Sequence, residues 1–197
     1  MKRLRIATQS SDKLREFQQM LSPLGYEVLG MHDLGAIEII EDGDSFAANA
    51  IKKALTLLEH TGEAALADDS GLEVDCLDGA PGIHSARYSG VTGPQRDTAN
   101  CNKLLRELSG RPRVQRTARF TCALAYITPT DTPQVFYGNL EGYIATKLRG
   151  QNGFGYDPIF EINAAGKTSA EISAQEKNEI SHRGQALRKL VAFLSKG

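Results

Sequence analysis

The chain has 197 residues, 41% of them hydrophobic and 24% charged. That is enough for one sizeable core, and it excludes the polar, high-net-charge composition of a disordered segment. Lysine and arginine total 23 against 24 aspartates and glutamates, a formal net charge of −1, which argues against a general nucleic-acid or membrane-surface binder.

There is no long apolar run, and Met1-Lys2-Arg3-Leu4-Arg5 leads into a strand-like piece rather than a signal core, so the cytosol is the expected compartment. Cys76, Cys101 and Cys122 are odd in number and form no CxxC pair, which reads as structural thiols. His32, His60, His84 and His182 lie far apart, with no zinc-ligand spacing.

Residues 5–8 read as the end of a first strand, and Gln9-Ser10-Ser11-Asp12 as a polar turn. Residues 13–21 then carry Leu14, Phe17 and Leu21 at helical spacing, with Ser10, Ser11 or Asp12 as the cap. A strand running through a turn into a helix start offers free N–H groups to an anion, and Lys13 adds charge there. A solvated helix start is the plain alternative. No P-loop ending in Gly-Lys-Ser/Thr occurs.

Residues 26–31 read as a second strand, and residues 37–40 are apolar and β-branched. Glu41 opens an acidic turn and is a candidate metal ligand or a solvated loop acid. Ser45 begins a helix whose inner face is read as Phe46, Ala50, Ala54 and Leu55, with Asn49 and Lys52 or Lys53 on other sides.

Residues 64–67 read as a short buried strand ending at Asp68-Asp69-Ser70-Gly71. Those four residues are ordinary turn formers. Equally, a strand-end carboxylate that stays ionised can hold Mg2+ and activate a water. Residues 79–90, rich in small side chains, form a long loop of the kind that tends to be functional, where Arg87 can face an anion or pin the loop. Residues 92–108 read as a helix. Residues 119–127 and 135–144 alternate as a hairpin around a Thr/Pro connector.

In Gly150-Gln151-Asn152-Gly153-Phe154-Gly155-Tyr156-Asp157-Pro158, glycines flank an aromatic suited to stacking on a flat base, or make a tight loop before a strand. Ser181 can cap a last helix with Leu187, Leu190, Val191 and Leu194 on its apolar face, and Lys177, His182 and Arg183 cluster donors near its start. No repeat, low-complexity tract or linker divides the chain.

Four segments, ADDSGL with PGI-SARYSG, GFGYDP, SHRG with Lys177, and residues 8–16, lie in an order that resembles the inosine triphosphate pyrophosphatase family. The resemblance spans nearly the whole chain and selects a site over a turn at Asp68-Asp69. It implies a single elongated α/β domain, 1–197, with a central mixed sheet, flanking helices and two lobes with a nucleotide cleft between them. It further implies a Mg2+-dependent homodimer that hydrolyses purine triphosphates bearing hypoxanthine or xanthine to the monophosphate and pyrophosphate.

On that resemblance Thr8, Gln9, Ser10, Ser11, Asp12 and Lys13 grip the triphosphate. Asp69 is the general base and a metal ligand, with Asp68 and Glu41 helping to hold Mg2+. Ser70 touches the substrate. Phe154, Gly155, Tyr156 and Asp157 hold base and sugar, and Lys177, His182 and Arg183 read the purine edge. Lys and Arg have donors only, which suits the C6 oxygen of a keto base and not the amino group of adenine.

The chain departs from the family pattern at two places. Gln9-Ser10 stand where Gly-Asn is usual, and Ala48 where Glu is common, which bears on metal affinity and turnover. They motivate a second reading, a nucleotide sensor with little hydrolysis. A third is a related pyrophosphatase for modified pyrimidines.

Overall fold

The computed structural model describes residues 2–35, 37, 39–162 and 166–195. Among them a six-stranded sheet is built from β1 (Lys2–Ile6), β2 (Tyr26–Leu29), β3 (Ala65–Val74), β4 (Thr117–Ile127), β5 (Gln134–Ile144) and β6 (Phe160–Ile162), in the order β2-β1-β3-β4-β5-β6. β1 runs parallel to β2, with Leu4 opposite Val28, and parallel to β3, with Ile6 opposite Leu66. β5 and β6 are antiparallel. The connector between the neighbouring strands β4 and β5 is too short for a parallel crossover, so they form the expected hairpin. The sheet is therefore mixed. The helices are α1 (Ser11–Leu21), α2 (Phe46–Thr61), α3 (Arg96–Glu107), α4 (Ala174–Ile180) and α5 (His182–Leu194).

Local chemistry explains most of these boundaries. The Ser10 hydroxyl accepts from the Lys13 N–H and caps α1, which begins at Ser11 rather than at residue 13. Ser45 caps α2 through the Ala48 N–H, and Gly62 ends it in the left-handed region. The Ser181 hydroxyl accepts from the Gly184 N–H at the start of α5. The short helix α4 begins with a capping box in which Ser173 and Glu176 satisfy each other's backbone N–H groups.

The chain divides into two compact units, Met1–Asp69 with Cys122–Tyr137 and Ala186–Gly197, and Ser70–Thr121 with Gly138–Gln185. β3, β4 and β5 contribute to both. The first unit buries Leu4 and Ile6 of β1, Phe17 and Leu21 of α1, Leu66 of β3, Leu124 of β4, and Leu187 and Leu190 of α5. The second buries Leu72 and Val74 of β3, Leu104 of α3, Phe120 of β4, Ile144 of β5 and Phe160 of β6. There the Phe120 and Phe160 ring centroids are 4.5 Å apart. Each such large side chain, fully withdrawn from water, contributes about 1.5–3 kcal/mol.

Two expectations are corrected. The strand at residues 64–67 does not stop at the two aspartates but continues through them to Val74. On α2 the inner face includes Asn49 and Lys53, while Leu55 is only half-buried. In the stretch at 37–40, to which the sequence assigns no element, Ile37, Ile39 and Ile40 lie outside the strands, and Glu38 lies outside the described residues.

Candidate active site

Asp68 and Asp69 sit in the middle of β3 with 3% and 7% of their surface exposed. A buried carboxylate survives as an ion only beside a partner, and each has its own lysine. Lys13, in the first turns of α1, places Nζ 2.5 Å from Asp68 Oδ1. Lys53, on α2, places Nζ 2.7 Å from Asp69 Oδ1 and 3.0 Å from Glu41 Oε1. The second oxygen of Asp69 accepts from Asn49 Nδ2 at 3.3 Å, and Asn49 Oδ1 in turn accepts from the Gly43 N–H at 2.8 Å. Cys122 Sγ on β4 lies 3.6 Å from Asp68 Oδ2.

Burial pushes the Asp69 carboxyl above the usual aspartate range; Lys53 opposes the rise, and Asp68 and Glu41 add to it. Burial likewise disfavours the Lys53 ammonium, but Asp69, Glu41 and Asp68 outweigh it and hold Lys53 above the ordinary lysine value. The result is a poised pair: a carboxylate more basic than normal, held against a cation that does not give up its proton.

Among the described residues, no three acidic, histidine or cysteine groups stand close enough to cage a metal. The expected trio of Asp69, Asp68 and Glu41 is thus not a closed site. Successive strand residues face opposite ways, which separates Asp68, partnered from α1, from Asp69, partnered from α2. The donor chemistry still fits a hard divalent cation, because Mg2+ is commonly held by one or two carboxylates together with substrate phosphates.

The residues foreseen as a phosphate grip lead into α1. Thr8 Oγ1 accepts from the Ser10 N–H at 3.1 Å, which shapes the turn, while Gln9 and Ser11 are exposed and Asp12 half-buried. Ser10 is committed to the helix cap and Lys13 to Asp68.

The second unit gathers the other group of foreseen residues. Arg183 Nη2 donates to Ser70 Oγ at 3.0 Å. Lys177 Nζ stands 4.6 Å over the half-buried Phe154 ring, and the Arg183 guanidinium 5.9 Å from the same ring centre. Asp157, almost fully buried, accepts from Lys177 Nζ at 2.6 Å and from the Phe154 N–H at 2.9 Å. His182 stacks on Phe120 at 4.9 Å.

The geometry gives two of these residues roles other than base contact. The Tyr156 hydroxyl donates to the Ser85 carbonyl at 2.8 Å within the core, and burial pushes its pKa up. Asp157 organises the loop and its lysine. Gly153 has φ +76°, and a Cβ there would stand 2.0 Å from Asp157 Oδ2, so only glycine allows this turn.

Sequence reading missed Lys53 and Asn49. The available signal was their i, i+4 spacing, which places them on the α2 face that also carries Phe46, Ala50 and Ala54.

A mixed sheet flanked by helices, with two acids on its third strand each met by a lysine from a helix, defines an α/β protein. Residues 4–193 match the Ham1 family, and the chain belongs to it. It is similar to the dITP/XTP pyrophosphatase of Bacillus licheniformis, at 49% identity over 98% of each chain, and to that of Bacillus subtilis, at 47% over 98% of each. Its fold matches a HAM1 protein of Coxiella burnetii with a TM-score of 0.89 and 41% identity over the full length of both chains. The Ham1 protein of Staphylococcus aureus gives a TM-score of 0.87 at 38% identity, covering 99% of each.

Proposed function

We propose that the protein hydrolyses non-standard purine nucleoside triphosphates, XTP, ITP and dITP, to the monophosphate and pyrophosphate. The observation that carries this reading is Asp69: a buried, upward-shifted carboxylate between Lys53 and Asn49, one residue before a serine that accepts from Arg183. The relatives' pyrophosphatase names support the reaction class.

In this reading Asp69 takes a proton from a water. The water oxygen forms a bond to the α-phosphorus, the bond from that phosphorus to the bridging oxygen breaks, and pyrophosphate leaves with the electron pair. Lys13 and Lys53 offset the charge gathering on the leaving group. Glu41, Asp68 and Asp69 are the residues that would hold a divalent cation, Mg2+ in our reading. When bound, it would supply further positive charge to the triphosphate.

Phe154 stacks on the base. Lys177 and Arg183, donors only, face the keto oxygen of hypoxanthine or xanthine, and His182 keeps its place beside them through Phe120. We further read the chain as one domain of two lobes, acting in the cytoplasm as a homodimer on free nucleotides rather than on nucleic acid or membranes. Among the described residues no helix is long and apolar enough to cross a membrane.

A substrate panel tests the proposal. ITP, dITP and XTP are expected to exceed every pyrimidine triphosphate in kcat/KM, and Asp69→Asn to lose on the order of a hundredfold in turnover while keeping its fold. A pyrimidine substrate in the lead, or near-normal pyrophosphate release from Asp69→Asn, overturns it. Nucleotide binding without any pyrophosphate formed would favour a sensor instead.

A further inference from the structure

The ring of Phe154 lies on a loop with two left-handed glycines, Gly153 at φ +76° and Gly155 at φ +60°. Such a segment has little intrinsic preference for one conformation, so its hydrogen bonds fix the backbone that carries the ring. The N–H of Phe154 is held by Asp157, which belongs to the group already described. The next N–H, that of Gly155, is held from elsewhere. It donates to Asp97 Oδ2 at 2.8 Å, and Asp97 lies in the first turn of α3. One turn further along that helix, Cys101 Sγ donates to the Gly155 carbonyl at 3.3 Å. Both ends of one glycine are thus pinned to α3.

The same helix pins a second loop. Asn100 Oδ1 accepts from the Ser89 N–H at 2.7 Å, and its Nδ2 reaches the carbonyls of Ser85 and Ala86 at 3.2 and 3.3 Å. Tyr156 closes the circuit through its bond to Ser85. Within this network Asp97 is distinctive. Its carboxylate holds the N–H of the peptide unit that leaves Phe154, while Asp157 holds the N–H of the unit that enters it, so the two acids fix the backbone on either side of the ring's Cα. Its other oxygen is 2.9 Å from the Arg96 Nε, an exposed contact that leaves the Gly155 bond in place.

We propose that Asp97 is a positioning residue for base recognition, fixing the Phe154 platform through the Gly155 N–H without touching the nucleotide. The inference rests on Phe154 being the surface on which the base stacks. Loss of one hydrogen bond to a charged acceptor corresponds to about tenfold in affinity. That loss should fall on ligands that carry a base and spare those that carry only phosphates.

The test compares wild type with Asp97→Ala and Asp97→Asn, the second of which keeps an acceptor oxygen. Calorimetric titration with inosine monophosphate should show about tenfold weaker binding for Asp97→Ala and recovery in Asp97→Asn, with pyrophosphate binding unchanged in both. Amide hydrogen exchange at Gly155 should speed up in Asp97→Ala and stay slow in Asp97→Asn. Unchanged Gly155 exchange in Asp97→Ala overturns the inference, and so does equal weakening of inosine monophosphate and pyrophosphate, which would mark a general structural role. If wild type itself does not bind inosine monophosphate, the base-stacking reading of Phe154 fails, and the Gly155 exchange result alone decides whether Asp97 holds the platform.

Discussion

Lys53 shows what one side chain does when its surroundings are chosen for chemistry. Its stem lies on the buried face of α2, yet its ammonium meets two carboxylates, Asp69 and Glu41. Replacing it with methionine keeps the packing and removes the cation. Asp69 then faces Asp68 and Glu41 without its counter-charge, so its pKa, already raised by burial, moves further up. A base works only when deprotonated, so the acid limb of the kcat/KM profile should shift to higher pH in Lys53→Met. An unmoved acid limb in a folded Lys53→Met would show that the pair is not coupled to the reaction. The variant should also lose about 3–5 kcal/mol of stability in urea titration, because one half of a buried ion pair is left behind.

Elements are tied together by single side chains as well as by their cores. Arg116, just before β4, is buried, and its guanidinium donates to the carbonyls of Leu108, Ile144 and Ala145 at 2.6, 2.6 and 2.5 Å. It thus satisfies the end of α3 and the end of β5 at once. In Arg116→Met these acceptors stay buried without their donor, and stability should fall by about 3 kcal/mol. Urea unfolding with an unchanged m-value would measure this as a shift in midpoint.

The elements differ in how plainly the sequence announces them. α1 and α5 were readable because their apolar residues recur at 3.6, and the β4–β5 pair because it alternates around a connector. β3 reads as too short because two aspartates in an apolar run look like a strand end. The lysines that neutralise them stand 55 and 16 positions earlier, at 13 and 53, beyond any local pattern. α4 is hard to read despite its Ser173-x-x-Glu176 box, since seven residues give no clear period. Of the site, the residues carried by the motifs of β3, the glycine-rich loop and α5 were legible. Asn49, Lys53 and Asp97 were not, because each acts through a group distant in sequence.

At the scale of the molecule, acid–base behaviour in the second unit sets a limit on alkaline stability. Burial pushes the Cys101 thiol up to about 12, and Asp97 and Asp157 add to this; burial raises Tyr156 as well. Both groups are neutral when folded and ionise more readily when unfolded. Their contribution is therefore whole below the unfolded values, roughly 8.5 for cysteine and 10 for tyrosine, and is lost as pH climbs toward the folded ones. Thermal unfolding should show Tm falling above about pH 9. Cys101→Ala should flatten the first part of that fall; an identical slope would assign the loss to other groups.

β3 carries a final consequence for how this chain can change. Its residues hand over from one unit to the other between Asp69 and Ser70, and its alternation decides which acid turns toward which helix. One residue added between Ala67 and Asp68 would turn each later side chain of the strand to the other side, and both acids would face away from their lysines. Substitutions there can be graded, but a change of length cannot. The exposed link at Thr130 and Asp131 obeys no such parity, and it is there that an insertion could enter the chain while the acids kept their places.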